Sequence, residues 1–366
     1  MPKQFNRLDH LVSVRGLAAW LVVFYHSLPM LQFAFPGIPQ QIVSIVKHGD
    51  LAVDFFFVLS GFIIFINYFD NFSSNAGRSI IKFYWNRFSR IYPVHFVMLL
   101  AYLSLAGAFL QWSTSQAVPP ALGKVSLLEN LFLVQAWSNN DTSWNVPSWS
   151  ISAEWFVYLL FPGMAIFIGI YLKSVFSIFF TSFAIIGLVG LIGWFDFESG
   201  GVPLYSVPLV RVFHEFMLGT LIGTLYINHR PLLISLRPWI LAIFVAFVSI
   251  TYALYVPLAL IVPTAFFLLI AFLTVDDSWF TRLLKLKWLI VLGEISYSTY
   301  MVHYFVRDVF KAVFAKSSFA MDAVPLVASF FVVLALSFIL YRWVELPAQS
   351  FLRNLRISGR KTVSSL

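Results

Sequence analysis

Arg15 and His26 stand eleven residues apart inside the first apolar stretch of the chain, Leu11 to Met30. Eleven residues are close to three whole helical turns, so both side chains fall on one helix face, about 16 Å apart along the axis. A guanidinium at membrane depth is costly unless it meets a partner or a wet cavity, so this face is expected to look into the protein. The residue types suggest two chemistries. A neutral imidazole oriented by a carboxylate takes a hydroxyl proton near neutral pH, an assistance worth roughly 10²–10⁴-fold. Guanidiniums match phosphate oxygens through forked hydrogen bonds.

The elements that must position these groups are membrane helices. The 366 residues are 60% hydrophobic, 19% aromatic and 11% charged, with a mean hydropathy of +0.84. Soluble domains are nearer a quarter charged, so the fold class expected is an all-α integral membrane protein. Ten apolar segments are long enough to cross, or nearly cross, a bilayer: residues 11–30, 51–69, 91–110, 149–172, 174–193, 207–227, 239–255, 256–275, 289–310 and 323–343. The first resembles a signal peptide behind Lys3 and Arg7, but its internal Arg15 and the lack of a small-residue cleavage pattern argue for retention. With no cysteine, disulfide and thiolate chemistry are excluded.

Alternating the segments from a cytoplasmic N-terminus leaves only Lys47, Lys124, Lys311 and Lys316 outside and Arg15, Arg211 and Arg307 within the membrane; the rest of the 24 Lys and Arg fall inside. That asymmetry supports both termini being cytoplasmic. It also removes the nucleic-acid partner that a net charge of +8 could suggest, since the basic residues stand where topology needs them. Residues 1–347 read as one transmembrane domain around a polar cavity, and residues 348–366 as a basic, solvated cytoplasmic tail. No appended soluble domain is expected.

Topology sorts the remaining candidates by depth. His26, Asp54, Glu154, Arg211, His214, Glu215, His303 and Arg307 fall in the outer half, whereas Arg15, Arg87, Arg90 and Glu294 lie at or near the cytoplasmic face. Shared depth makes His26 and Asp54 a candidate pair; a structural arginine as the partner of Asp54 is the competing reading. Tyr300, His303 and Arg307 are spaced to share a helical stripe, which could line the cavity or merely join helices. The cluster Arg211, His214 and Glu215 is assigned structure first, and Gly219-xxx-Gly223 close helix packing. Arg87 and Arg90 could equally be positive-inside anchors. Trp112, Trp137, Trp144 and Trp149 border the longest outside loop, where a sugar-stacking platform competes with interfacial anchoring. No His-Glu-x-x-His pattern occurs, so no catalytic metal is expected.

Five blocks in order carry a family resemblance: Arg15-Gly-Leu-Ala-Ala-Trp with His26; Asp54-Phe-Phe-Phe-Val-Leu-Ser60-Gly61; Arg87-Phe-Ser-Arg90-Ile-Tyr92-Pro93; Ser148-Trp149-Ser150-Ile-Ser152-Ala-Glu154; and Gly293-Glu294-Ile-Ser296-Tyr297-Ser-Thr-Tyr300-Met-Val-His303. Val344-Glu345-Leu-Pro347 is a plausible closing block. Together they resemble the acyltransferase-3 family of membrane acyltransferases. The resemblance implies a ten-helix domain that moves an acyl group, acetyl as the family-weighted guess, from cytoplasmic acyl-coenzyme A to a hydroxyl of a surface sugar, with no tightly bound cofactor. It places Arg15, Arg87 and Arg90 at the donor, His26 as general base with Asp54 and Glu154, and Trp149, Tyr300 and His303 at the acceptor. The expected setting is a bacterial inner membrane. The expected partners are acyl-coenzyme A, a carbohydrate or glycolipid acceptor, membrane lipid and polysaccharide assembly proteins. Two rivals remain: a secondary transporter or exporter of a sugar or acylated substrate, which would use the same ionisable residues, and a scaffold subunit of polysaccharide assembly, in which Arg15 and His26 would be replaceable. No convincing inverted repeat supports the transporter.

Overall fold

The computed structural model describes residues 7–74, 76–112, 122–137, 144–199, 207–254, 256, 258–314 and 323–358. Among them no strand occurs. The helices are α1 (Asp9–Ala34), α2 (Gln40–Lys47), α3 (Ala52–Ser74), α4 (Ala76–Trp112), α5 (Lys124–Leu131), α6 (Trp149–Tyr171), α7 (Val175–Ser199) and α8 (Pro208–Asn228). They continue as α9 (Arg230–Ala253), α10 (Leu258–Val275), α11 (Trp279–Leu283), α12 (Lys287–Glu294), α13 (Ser296–Phe314), α14 (Ala323–Leu340) and α15 (Leu346–Ser358). Eight helical stretches among the described residues are long and apolar enough to cross a membrane. This is an all-α membrane protein.

Each of the ten apolar segments coincides with helix. Two fall outside those eight: α10, whose apolar run is shorter, and the α12–α13 segment, which is broken at Ile295 and carries His303, Arg307, Asp308 and Lys311. Pro29, Pro93, Pro162, Pro238 and Pro263 lie inside helices. Membrane helices tolerate this because neighbouring helices and polar side chains satisfy the freed carbonyls. The stretch expected to be a loose tail begins as helix α15. Lys3, Lys316, Arg360 and Lys361 of the charge count lie outside the described residues.

The chain divides into two compact units. The first comprises Met1–Arg15, Leu51–Ile80 and Ala153–Ile290. Its α3 and α8 touch backbone to backbone. A Cβ on Gly61 would lie 2.1 Å from the Phe216 carbonyl oxygen, and one on Gly219 would lie 2.0 Å from that of Val58. Only glycine permits such approach, and the spacing read from Gly219 and Gly223 is indeed a packing face. Around it, Phe161 meets Phe216 edge to face at 5.8 Å, a favoured geometry for buried rings.

The second unit comprises Gly16–Asp50, Ile81–Ser152 and Val291–Leu366. Here α1 and α12 approach as closely, with a Gly16 Cβ position 2.6 Å from the Gly293 nitrogen. Between α14 and α15, residues Tyr341–Glu345 form one turn of π-helix. Such turns insert a residue into an α-helix and often mark functional positions. The Trp85 indole donates to the Leu352 carbonyl at 2.7 Å and so ties α15 to α4. The serine block that opens α6 pins the segment before it. Gln135 donates to Ser148 Oγ and to its carbonyl, both at 3.1 Å, and Ser152 Oγ donates to the Leu133 carbonyl at 2.8 Å.

Candidate active site

The second unit brings together most of the sequence-derived candidates. The His26 ring on α1 stacks on His303 of α13, with centroids 5.3 Å apart and planes 30° apart, and meets Tyr304 edge-on at 5.1 Å. His303 is buried, and its Nδ1 lies 2.7 Å from the Tyr300 carbonyl oxygen. A carbonyl only accepts, so Nδ1 carries a proton and Nε2 of the neutral ring is left with its lone pair. Nε2 is buried and has no hydrogen-bond partner among the described residues. Tyr300 shares a 2.8 Å hydrogen bond with Ser150 Oγ, and its hydroxyl lies 3.0 Å from the Pro147 carbonyl. The tyrosine is thereby joined to the serine block beside Trp149. Arg307 lies 3.4 Å from the centroid of the Tyr304 ring and pairs with Asp308 at 2.9 Å. Of the stripe Tyr300, His303 and Arg307, His303 meets His26 directly, Tyr300 lies 5.8 Å from the His303 ring and Arg307 packs on Tyr304.

A small pocket opens on this group between α1, α13 and α14, lined by Ser27, His303, Arg307, Lys311, Ser329 and apolar neighbours. Its water-sized room amounts to about 20 Å³. That holds a water or a hydroxyl.

Arg87 and Arg90 lie half-buried on α4, one turn apart. Arg90 pairs with Glu345, whose side chain is fully buried and also accepts from Ser298 Oγ at 2.8 Å. The π turn therefore presents Glu345, the acid of the closing block, to the second arginine of the paired motif. The Arg90 guanidinium also lies over the Tyr297 ring, 5.8 Å from its centroid.

In the first unit, Asp54 is fully buried and both its oxygens accept from Arg211, through Nε and Nη2. The structural arginine weighed as its partner is therefore present. Beside it, His214 Nε2 and Glu215 Oε1 are 3.8 Å apart, within the cluster assigned to structure. Glu154 accepts from Ser60 Oγ at 2.6 Å, so two acids of the quoted motifs each have a fixed neighbour. Arg15, half-buried, lies in this unit, although its helix continues through His26. Of the tryptophans, Trp144 is buried, Trp137 is exposed and donates to the Ser152 carbonyl at 3.2 Å, and Trp149 is half-buried. The side chain of Trp112, the fourth of that group, lies outside the described ones. No group of three potential metal ligands occurs among the described residues.

Arg211, Ser60, Glu345 and Lys311 acquire importance only in three dimensions. Ser60 and Glu345 stood inside quoted blocks without a role, and Lys311 counted only toward topology.

The helical membrane architecture, the imidazole pair and the buried ion pairs define a polar-lined membrane enzyme scaffold. The model of the acyltransferase-3 family, described as an acyltransferase domain, matches residues 9–342. The chain belongs to this family. Acyltransferase MdmB of Streptomyces mycarofaciens is 33% identical over 165 residues, which are 44% of this chain and 40% of that protein. Exopolysaccharide production protein ExoZ of Rhizobium meliloti is 26% identical over 268 residues, 71% of this chain and 77% of that protein. The match to MdmB thus spans less than half of its length. No solved structure matches the chain.

Proposed function

We propose that the protein is a membrane O-acyltransferase that moves an acyl group, acetyl in the simplest case, from cytoplasmic acyl-coenzyme A to a hydroxyl of an exported or surface carbohydrate. The carrying observation is the stacking of His26 on His303, which itself lines a small open pocket, at positions that match the family motifs. His26 takes the acceptor hydroxyl proton as the oxygen attacks the thioester carbonyl. The new C–O bond forms, the C–S bond breaks, and the thiolate of coenzyme A leaves with the proton returned by the imidazolium. His303 and Tyr300 hold the acceptor. Arg87 and Arg90 bind donor phosphates, and the same role is proposed for Arg15, in each case on the strength of its motif. The ion pair with Arg211 favours the structural reading of Asp54 over a dyad with His26, and the Ser60 hydrogen bond supports a positioning role for Glu154.

The relative named for exopolysaccharide production favours a carbohydrate acceptor, and the bacterial sources of both relatives favour the inner membrane. The test is incubation of membranes holding the full chain with radiolabelled acetyl-coenzyme A and candidate glycans. Label on glycan with the parent protein, and at least about a hundredfold less with a folded His26→Ala variant, is expected. Near-normal transfer by that variant would refute the role of His26. No incorporation with any donor or acceptor would favour transport.

A further inference from the structure

The pocket between α1, α13 and α14 has a marked chemical bias. Arg307 and Lys311 both line it, and none of its lining residues is acidic. The two are four residues apart on α13 and so lie on one helix face. Asp308 offsets Arg307 at 2.9 Å, while Lys311 forms no ion pair among the described residues. The wall is therefore left with a cationic excess. His303 contributes the buried, unpartnered Nε2, which in the neutral ring accepts a hydrogen bond. Phe330 and Val333 make the opposite wall apolar. The narrowest part of this open pocket has room for a hydroxyl, and the rest of a larger molecule would lie in its mouth.

A hydrogen-bond acceptor facing a hydroxyl-sized space, with cations beside it and no acid, fits a particular kind of molecule. We propose that this pocket receives the acceptor, and that the acceptor is an acidic carbohydrate. One of its hydroxyls meets Nε2 of His303, and a carboxylate or phosphate on the same or the next sugar lies against Lys311 and Arg307. The proposal rests on the acyl-transfer reading above and adds to it the charge of the substrate and the lysine that selects it.

The experiment uses the full chain, purified into discs of uncharged phosphatidylcholine. The acceptor probes are a glucuronic-acid oligosaccharide, the same oligosaccharide with its carboxyls reduced to hydroxymethyl groups, and a phosphorylated form of the reduced one. The first and third should be used with a KM at least about tenfold below that of the neutral probe, since a charge-assisted hydrogen bond is worth about that much. Lys311→Gln should remove most of this discrimination and Lys311→Glu should turn it in favour of the neutral probe, while salt weakens it in the parent. Equal KM values for acidic and neutral probes, unchanged in both variants, would overturn the proposal. So would a Lys311 dependence seen only for anionic phosphatidylglycerol added to the discs, which would make the occupant a lipid headgroup. Thermal unfolding with each probe is read in parallel. If none of the probes is acylated, the acyl-transfer reading falls. The anion site then stands only if the acidic probes, and not the neutral one, raise the melting temperature in a Lys311-dependent way.

Discussion

The imidazole of His26 on α1 lies 5.3 Å from that of His303 on α13, with the planes only 30° apart. His303 lines the adjacent pocket and His26 backs it through the stack, so substitution of either changes the setting of the other. His26→Ala and His303→Ala should each lower acyl transfer by about a hundredfold or more, and the double variant should be little worse than the weaker single one. Residues that act as a unit are non-additive in this way. Rates in membranes at matched protein level check it, and a fully multiplicative loss would separate the two rings.

Asp54 and Arg211 form a pair in which the aspartate side chain is fully buried. Removing one partner of such a pair costs about 3–5 kcal/mol, because the other charge is left uncompensated. Arg211→Gln should therefore unfold at markedly lower temperature in detergent, and adding Asp54→Asn should restore most of the loss. With the pair serving structure, the repaired double variant should recover most of the parent's kcat, and a kcat that stays low at restored stability would give Asp54 a further role.

The same logic separates two roles of the paired arginines. Arg90→Gln should destabilise the protein by stranding Glu345, and Glu345→Gln should repair it. Arg87→Gln should instead act on the donor, raising KM for acyl-coenzyme A about tenfold, within the range expected for one charge-assisted hydrogen bond. Kinetics with varied donor, beside thermal unfolding of each variant, distinguish the outcomes.

The backbone contact of α3 with α8 makes a sharper structural prediction. A Cβ at Gly61 or Gly219 would sit about 2 Å from a carbonyl oxygen, so Ala at either position should cost about 3 kcal/mol or more. Gly107 of α4 has open space where its Cβ would be. Ala there should be neutral or add about 0.5–1 kcal/mol through helix propensity. Unfolding midpoints in one detergent compare the three.

The helices were legible in the sequence because a membrane span must satisfy its own backbone and fill about twenty residues with apolar side chains. The α13 segment is the most polar of the ten, and of its polar residues His303 is buried while Arg307 and Asp308 are half-buried. Motif spacing was enough to put Tyr300, His303 and Arg307 on one stripe. What it did not convey was who meets whom. Asp54 and Arg211 are 157 residues apart, Arg90 and Glu345 are 255 apart, and Ser60 and Glu154 are 94 apart. Local periodicity carries no record of such pairings, and each acid has several arginines or hydroxyls at compatible depth. Lys311 was read from its side of the membrane alone, because a pocket made by three helices has no linear signature.

The π turn at Tyr341–Glu345 makes the chain's end sensitive to length as well as to residue identity. Deleting one residue there would return the segment to plain α-helix, and everything beyond it would rotate by about 100° about the axis. Either Glu345 would lose its aim at Arg90 and Ser298, or α15 would turn Leu352 away from the Trp85 indole. A one-residue indel at this turn should therefore be as damaging as loss of the acid itself, whereas the same change in an exposed loop would pass unnoticed.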